Sequence, residues 1–112
     1  DCFAGSSCLR VRDLDQWTGF HLYYRQEFPS STFSSLTLQA RTESGTGMIQ
    51  VTLSDAEGNR CTGTVFDITE TYSQISIDVG SICGGVDRIA SVTIDNPGPN
   101  IGLLLDDVRF SR

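Results

Sequence analysis

Apolar and polar residues alternate one by one in five separate stretches of this 112-residue chain. Successive side chains of a β-strand point to opposite faces, so this alternation predicts strands with one buried and one solvated face. The five stretches lie at residues 20–25, 36–41, 49–54, 74–79 and 90–95. No stretch has the length and the 3.6-residue period of a core helix. The chain is therefore predicted to fold through β-sheet.

Three further stretches follow the same pattern less strictly, at residues 9–13, 61–68 and 102–110. Clusters of glycine, asparagine, aspartate and serine separate the stretches, and these residues favour turns. Short strands at regular spacing, without helices between them, are typical of a two-layer sandwich. We therefore predict an all-β fold, a two-sheet antiparallel β-sandwich (jelly roll) of about eight strands, in which residues 1–112 form a single domain.

The charge of the chain excludes two classes of partner. The formal net charge is −6, and all eight basic residues are arginine. Such a chain cannot build the basic track that nucleic acid or an anionic membrane surface requires. No run approaches the roughly 18 apolar residues of a membrane span, so membrane insertion is not expected either. The chain also lacks a basic, apolar leader, so we expect any signal peptide to have been removed.

The four cysteines indicate the redox compartment. Their spacing does not match a zinc knuckle, and the single histidine supplies no histidine pair, so disulfides are favoured over metal ligation. Three pairings are open in principle; Cys2–Cys8 and Cys61–Cys83 are favoured because each closes a local excursion of the chain. Two disulfides in a short chain indicate a secreted, extracellular protein.

Catalysis is not expected. One histidine, no lysine and cysteines assigned to disulfides leave only carboxylates for acid–base chemistry. A glycosidase needs two carboxyl groups facing each other across a cleft, and a sandwich of this size rarely builds one.

The second half of the chain carries a more specific pattern. The segments 71–77, 90–94 and 103–110 follow one another as two alternating strands and a final Leu-Leu-Leu-Asp-Asp-Val-Arg-Phe strand. This order resembles the C-terminal half of jelly-roll carbohydrate-binding modules of the galactose-binding-domain-like superfamily. The segment 36–41, which ends in Ala-Arg, resembles the central strand of such modules. The resemblance covers roughly residues 33–110.

The resemblance implies a non-catalytic module that binds a poly- or oligosaccharide and is appended to a larger secreted protein. Such modules usually open with an Asn-x-x-Phe-Glu strand, followed by glycine and tryptophan. The present chain departs from them there, because residues 13–19 lack the Phe-Glu pair. The alternative is an extracellular adhesion or protein-interaction β-sandwich, since one fold serves both functions.

Asp106 is the candidate metal ligand. Counting by twos from Phe110 through Val108 places Asp106 on the inward side of the last strand, where a carboxylate needs a partner. In the resembled modules the equivalent aspartate often helps to hold a structural calcium, so the resemblance implies calcium here. A second carboxylate would come from Asp1, Asp13 or Asp15. The alternative is that Asp106 lies at an edge and accepts hydrogen bonds from the backbone or an arginine.

Sugars are recognised by aromatic faces that stack on the ring and by planar polar groups that pair with its hydroxyls. If the apolar positions face the core, the outward positions supply both kinds of group. The candidate ligand-binding residues are Trp17, His21, Tyr23, Arg25, Gln39, Arg41, Gln50, Tyr72 and Gln74.

Three positions leave alternatives open. Trp17 is expected either to stack on a ligand or to form a half-buried plug at one end of the sandwich. Leu103 and Leu105 are apolar where the count predicts outward residues, so either the N-terminal segment covers them or they belong to a contact surface for a protein partner.

Overall fold

The computed structural model describes residues 9–112, apart from the side chains of residues 9–13, 20 and 24–26. It contains a strand for each of the eight predicted stretches: β1 Leu9–Leu14, β2 Gly19–Pro29, β3 Ser35–Thr42, β4 Gly47–Ser54, β5 Thr64–Ile68, β6 Ser73–Asp78, β7 Arg88–Asp95 and β8 Ile101–Ser111. One short helix, α1 (Val79–Ile82), follows β6. In the described part of the chain, no helix has the length and apolar character of a membrane-spanning segment.

The strands form two antiparallel sheets of four. Sheet A has the order β1-β8-β3-β6, and sheet B has the order β2-β7-β4-β5. The chain changes sheet between most consecutive strands, so neighbours in a sheet are rarely neighbours in sequence. The prediction of a two-sheet antiparallel β-sandwich is confirmed.

The core lies between the sheets and is built by the alternating apolar residues. In sheet B, antiparallel pairing sets Leu22 opposite Val92 and sets Leu53 opposite Val92 from the other side. The side chains of these inward rows are almost completely buried, because apolar groups are removed from water when the two sheets pack together. The largest fully buried side chains are Leu36, Leu38, Ile49, Leu53, Ile68, Ile89, Ile94, Leu103, Leu105, Val51, Val79 and Val92.

A β-bulge in β8 corrects the expected direction of Asp106. Thr37 of β3 pairs with Arg109, but Gln39 pairs with Asp106, so β8 contains one residue more than its partner over this span. Asp107 takes a left-handed backbone with φ of 52°, and its N–H donates to Asp106 Oδ1 at 2.8 Å. The extra residue reverses the inward and outward positions on either side of the bulge. Phe110 therefore packs against the core as predicted, whereas Asp106 lies on the outer side of sheet A; its inward placement was wrong.

The same bulge corrects the expectation for Leu103 and Leu105. Leu105 pairs with Ala40 of β3, which faces the core. Both leucines are buried, with 0% and 1% of their surface exposed. They therefore belong to the core between the sheets and form no contact surface.

Buried Asn96 joins the loops at one end of the sandwich. Its side-chain amide donates to the carbonyl oxygens of Leu14 and Pro99, both at 2.8 Å, and its Oδ1 accepts from the N–H of Gly98 at 2.9 Å. The Asn96 carbonyl accepts from the N–H of Trp17 at 2.6 Å. One residue thus fixes the β1–β2 turn against the β7–β8 loop.

Trp17 sits in that turn with its side chain in solvent. Its backbone is left-handed, with φ of 63°, which is uncommon for a bulky residue and costs about 1–3 kcal/mol. The indole is 68% exposed, so the half-buried plug is wrong.

The disulfide Cys61–Cys83 is present, as predicted. It ties the segment before β5 to the end of α1. Cys2 and Cys8 lie outside the described residues, and their pairing stays a prediction.

Replacing Asn96 with alanine should destabilise the fold strongly. The change leaves two carbonyls and one N–H at the end of the sandwich without their partner, and each such buried group costs about 1–3 kcal/mol. We expect the free energy of unfolding, measured by chemical denaturation, to fall by at least about 2 kcal/mol. Asn100→Ala, at an exposed position of the same loop, is the control. A loss for Asn96→Ala no larger than that of the control would contradict the assigned role.

Candidate functional site

The two sheets present two separate outer surfaces, and the predicted ligand-binding residues divide between them. Face B, the outer side of sheet B, carries His21, Tyr23, Gln50, Thr52, Ser54, Ser91, Thr93 and Asp95. Face A, the outer side of sheet A with the segment just before β6, carries Gln39, Arg41, Tyr72, Gln74 and Asp106. The predicted set therefore cannot form one site, since the core separates the two faces.

The planar groups of face A are occupied within the protein. The Arg41 guanidinium lies over the Tyr72 ring at 5.3 Å and donates to the carbonyl oxygens of Thr42 and Glu70 at 3.1 and 3.4 Å. The amide of Gln39, which is only 6% exposed, donates to Gln74 at 3.4 Å. These contacts hold the side chains against one another, while the Gln74 side chain remains exposed.

Face B carries an open cleft of about 420 Å³. The aromatic residues of β2 form one side, the middle of β7 forms the floor, and the loop between β4 and β5 forms the other side. The cleft is lined by His21, Tyr23, Ser54, Asp55, Ala56, Gly58, Arg60, Ala90, Ser91 and Thr93.

The aromatic side of the cleft is accessible. Tyr23 is 76% exposed, and its ring centroid lies 5.5 Å from that of His21, with the two ring planes 30° apart. His21 Nδ1 shares a hydrogen bond of 2.7 Å with Thr93 Oγ1, which fixes the imidazole against the floor. The alternation of β2 places both rings outward, because Leu22 between them packs against the core.

Hydroxyl groups form the floor. Ser54 and Ser91 lie opposite each other on β4 and β7, and their Oγ atoms are 2.7 Å apart. Each hydroxyl has one donor and two acceptor positions, so this pair keeps further hydrogen-bonding capacity. The floor can therefore bind a polar ligand.

The β4–β5 loop is held in one conformation by Asp55. Its Oδ1 accepts from the backbone N–H groups of Glu57 and Asn59 at 2.9 and 2.8 Å, and its Oδ2 accepts from the Asn59 side-chain amide at 2.8 Å. Gly58 supplies a left-handed φ of 91°. The hydrogen bond from the Asn59 side chain is the largest cause that lowers the pKa of Asp55 below its ordinary 3.8; desolvation opposes it, and backbone N–H groups add to it.

Glu27 connects this loop to the strands beside the cleft. One carboxylate oxygen accepts from Arg88 Nε at 2.9 Å, and the other accepts from the N–H of Ala56 at 2.9 Å. Glu27 lies within a bulge of β2, where the four residues between Tyr23 and Phe28 lie opposite a single residue of β7, Ala90. The bulge thus brings a β2 carboxylate to the loop that walls the cleft.

The other predicted site residues lie elsewhere. Gln50 is on face B, but its side-chain amide lies against Gly63, next to the Thr52 hydroxyl. Trp17 stands at the end of the sandwich and is not among the residues that line the cleft. The side chain of Arg25 lies outside the described part of the structure.

The calcium prediction for Asp106 is not decided by the geometry. One oxygen of Asp106 is engaged by the bulge, as described above, and this matches the alternative of a backbone hydrogen bond. The described residues contain no group of three or more histidine, cysteine, aspartate or glutamate side chains able to hold a metal. The proposed second ligands Asp1 and Asp13 lie outside the described side chains. Calcium binding at Asp106 stays a prediction.

Sequence reasoning missed most of the cleft. Ser54, Ser91 and Thr93 occupy outward positions of the predicted strands, so the alternating pattern does identify them as solvent-facing. The pattern does not predict the strand order β2-β7-β4, which makes these residues neighbours. Residues 55–59 are a cluster typical of a turn, and their glycine and aspartate do not indicate that the loop forms one side of a cleft.

Comparison with solved structures identifies the fold. The chain superposes on part of an exo-β-agarase with a TM-score of 0.67 and 12% identity, covering 88% of this chain and 18% of that one. It superposes on a CBM4 module with a TM-score of 0.55 and 14% identity, covering 88% and 63%. A family 11 carbohydrate-binding module from Clostridium thermocellum, in complex with a β-1,3-1,4-mixed-linked tetrasaccharide, gives 0.60 and 10%, covering 96% and 85%.

The fold is that of a jelly-roll carbohydrate-binding module. The predicted resemblance to such modules is thereby confirmed at the level of structure. No protein-family model and no curated protein matches the sequence. The present chain spans less than two thirds of the length of the agarase chain and of the CBM4 chain.

The pKa of Asp55 offers a test of the loop that walls the cleft. Because the folded loop lowers this pKa below 3.8, the carboxylate stabilises the loop above that value. This stabilisation is lost as the pH falls through the lower, folded pKa. In an NMR titration we expect the Asp55 carboxyl carbon to show a midpoint below 3.8, with the Glu57 and Asn59 amide signals shifting in parallel.

Asn59→Ala is the matched variant, because it removes the largest cause of the shift. It should move the Asp55 midpoint upward. A wild-type midpoint at or above 3.8 would contradict the described loop geometry.

Proposed function

We propose that this chain is a non-catalytic carbohydrate-binding module that binds a poly- or oligosaccharide in the cleft of face B. The observation that carries the proposal is the exposed Tyr23 ring beside a floor of hydroxyl groups, on a fold shared with carbohydrate-binding modules. The ring offers a stacking surface for the apolar side of a sugar, and the serine pair offers partners for its hydroxyls.

The cleft is suited to binding and lacks the parts for glycoside hydrolysis. Hydrolysis requires two carboxyl groups on opposite sides of the scissile bond. Asp55 is the single carboxylate among the described lining residues, and its oxygens are engaged by the loop. The proposal is therefore recognition without catalysis.

An apolar patch around Leu103 and Leu105 would have favoured the protein-interaction alternative, but both side chains are in the core. Face B offers hydroxyls, an imidazole and a guanidinium instead, which favours a sugar.

We also propose that the chain is secreted and appended to a larger protein. The disulfide Cys61–Cys83 supports an oxidising compartment. The agarase supports the second part, because the matched fold makes up only 18% of that longer chain.

A panel of polysaccharides tests the proposal. We would measure binding to soluble β-1,3-1,4-mixed-linked glucan, agarose and insoluble cellulose by affinity electrophoresis and pull-down. Binding to at least one of them is expected. Tyr23→Ala should weaken this binding by about tenfold or more, equivalent to about 1.4 kcal/mol, because the stacking surface is lost.

Tyr72→Ala is the matched control, since it removes the same ring from face A. It should leave binding within about twofold, which corresponds to less than 0.5 kcal/mol. Equal losses for both variants, or no binding to any polysaccharide, would overturn the proposed site.

A further inference from the structure

A second cleft adjoins the first and shares Arg60 with it. The second cleft measures about 480 Å³. It is lined by Asn59, Arg60, Cys61, Thr62, Ser81, Ile82, Gly84, Gly85 and Val86. Since Arg60 lines both clefts, the two clefts lie next to each other on the surface.

Covalent and backbone links hold the walls of the second cleft. The disulfide Cys61–Cys83 joins its two sides, and the N–H of Thr62 donates to the carbonyl of Ile82 at 2.9 Å. The N–H of Val86 donates to the carbonyl of Cys83 at 3.2 Å, which closes the turn that carries the glycines. A site held in this way loses little conformational freedom when it binds a ligand.

The lining of the second cleft offers hydrogen-bonding groups for the hydroxyls of a sugar. It offers the side chains of Thr62 and Ser81 and the bare backbone of Gly84 and Gly85. Arg60 is exposed, and its guanidinium makes no ion pair or hydrogen bond with any described residue. An arginine fork with unused donors at the junction can pair with hydroxyl groups of a ligand on either side.

The size of the two clefts indicates a ligand longer than one sugar unit. Ligand sites usually occupy about 300–1,000 Å³. Each cleft alone lies in the lower half of this range, and the two together lie near its upper end.

We propose that the two clefts form one continuous track, in which consecutive units of a saccharide chain occupy the Tyr23 cleft and the Gly84–Gly85 cleft with Arg60 between them. This inference rests on the proposed function and adds the length of the ligand to it. Affinity should therefore rise with chain length until both clefts are filled.

Blocking the second cleft tests the proposal. A Cβ atom added at Gly84 or Gly85 meets no atom within 4 Å, and neither residue has a positive φ. Gly84→Trp and Gly85→Trp should therefore fold normally, and each places a bulky ring on the lining of the second cleft. The probes are trisaccharides and hexasaccharides prepared from β-1,3-1,4-mixed-linked glucan and from agarose, with affinity measured by calorimetry.

In the wild-type chain we expect the hexasaccharide of the preferred series to bind about tenfold more tightly than the trisaccharide. Gly84→Trp and Gly85→Trp should reduce this ratio to about twofold or less, because the additional units lose their cleft. Ser76→Trp, which adds the same bulk at an exposed position of β6, should keep the full ratio.

The outcomes separate the two proposals. Binding that depends on Tyr23, with equal affinity for both lengths or with a length dependence that both tryptophan variants retain, would overturn the continuous track and leave the proposed function standing. Absence of Tyr23-dependent binding in both series would overturn both.

Discussion

The register between β7 and its two neighbours, β2 and β4, is the constraint on which the site depends. Pairing Val92 with Leu22 and Leu53 brings three inward rows into the core. Because side chains alternate, the same pairing necessarily aligns Tyr23, Ser91 and Ser54 on the outer side. A shift of one residue in either pair would bury this polar row and expose the core row. The hydrophobic effect therefore fixes the floor of the cleft indirectly.

Local interactions then turn a flat sheet surface into a cleft. Hydrogen bonds between Asp55 and Asn59 fix the conformation of the β4–β5 loop. Glu27 of β2 accepts hydrogen bonds both from this loop and from Arg88 of β7, so it links the loop to the two strands. The disulfide Cys61–Cys83 holds the segment that follows. Most of these links are hydrogen bonds within a few residues or to the backbone, so the walls are formed before a ligand arrives. Such preorganisation limits the entropic cost of binding.

The strands could be predicted from sequence because alternation reports burial directly, residue by residue. The division of candidates between two faces could not, since alternation identifies outward residues without saying which sheet contains them. Gln39 and Tyr23 were both placed outward, yet one lies on face A and the other on face B. Asp106 shows a second limit. A single extra residue at Asp107 reverses the count, and aspartate in a left-handed backbone leaves no mark in a period-two pattern.

The most direct test of the proposed site is to determine where on the protein the ligand binds. We would record amide chemical-shift changes in the labelled chain during titration with the oligosaccharide that binds it. The changes should concentrate on β2, β7 and residues 54–60, with the β3 and β6 amides of face A unaffected. Shifts centred on Gln39, Arg41 and Gln74 would place the ligand on the opposite sheet and contradict the account.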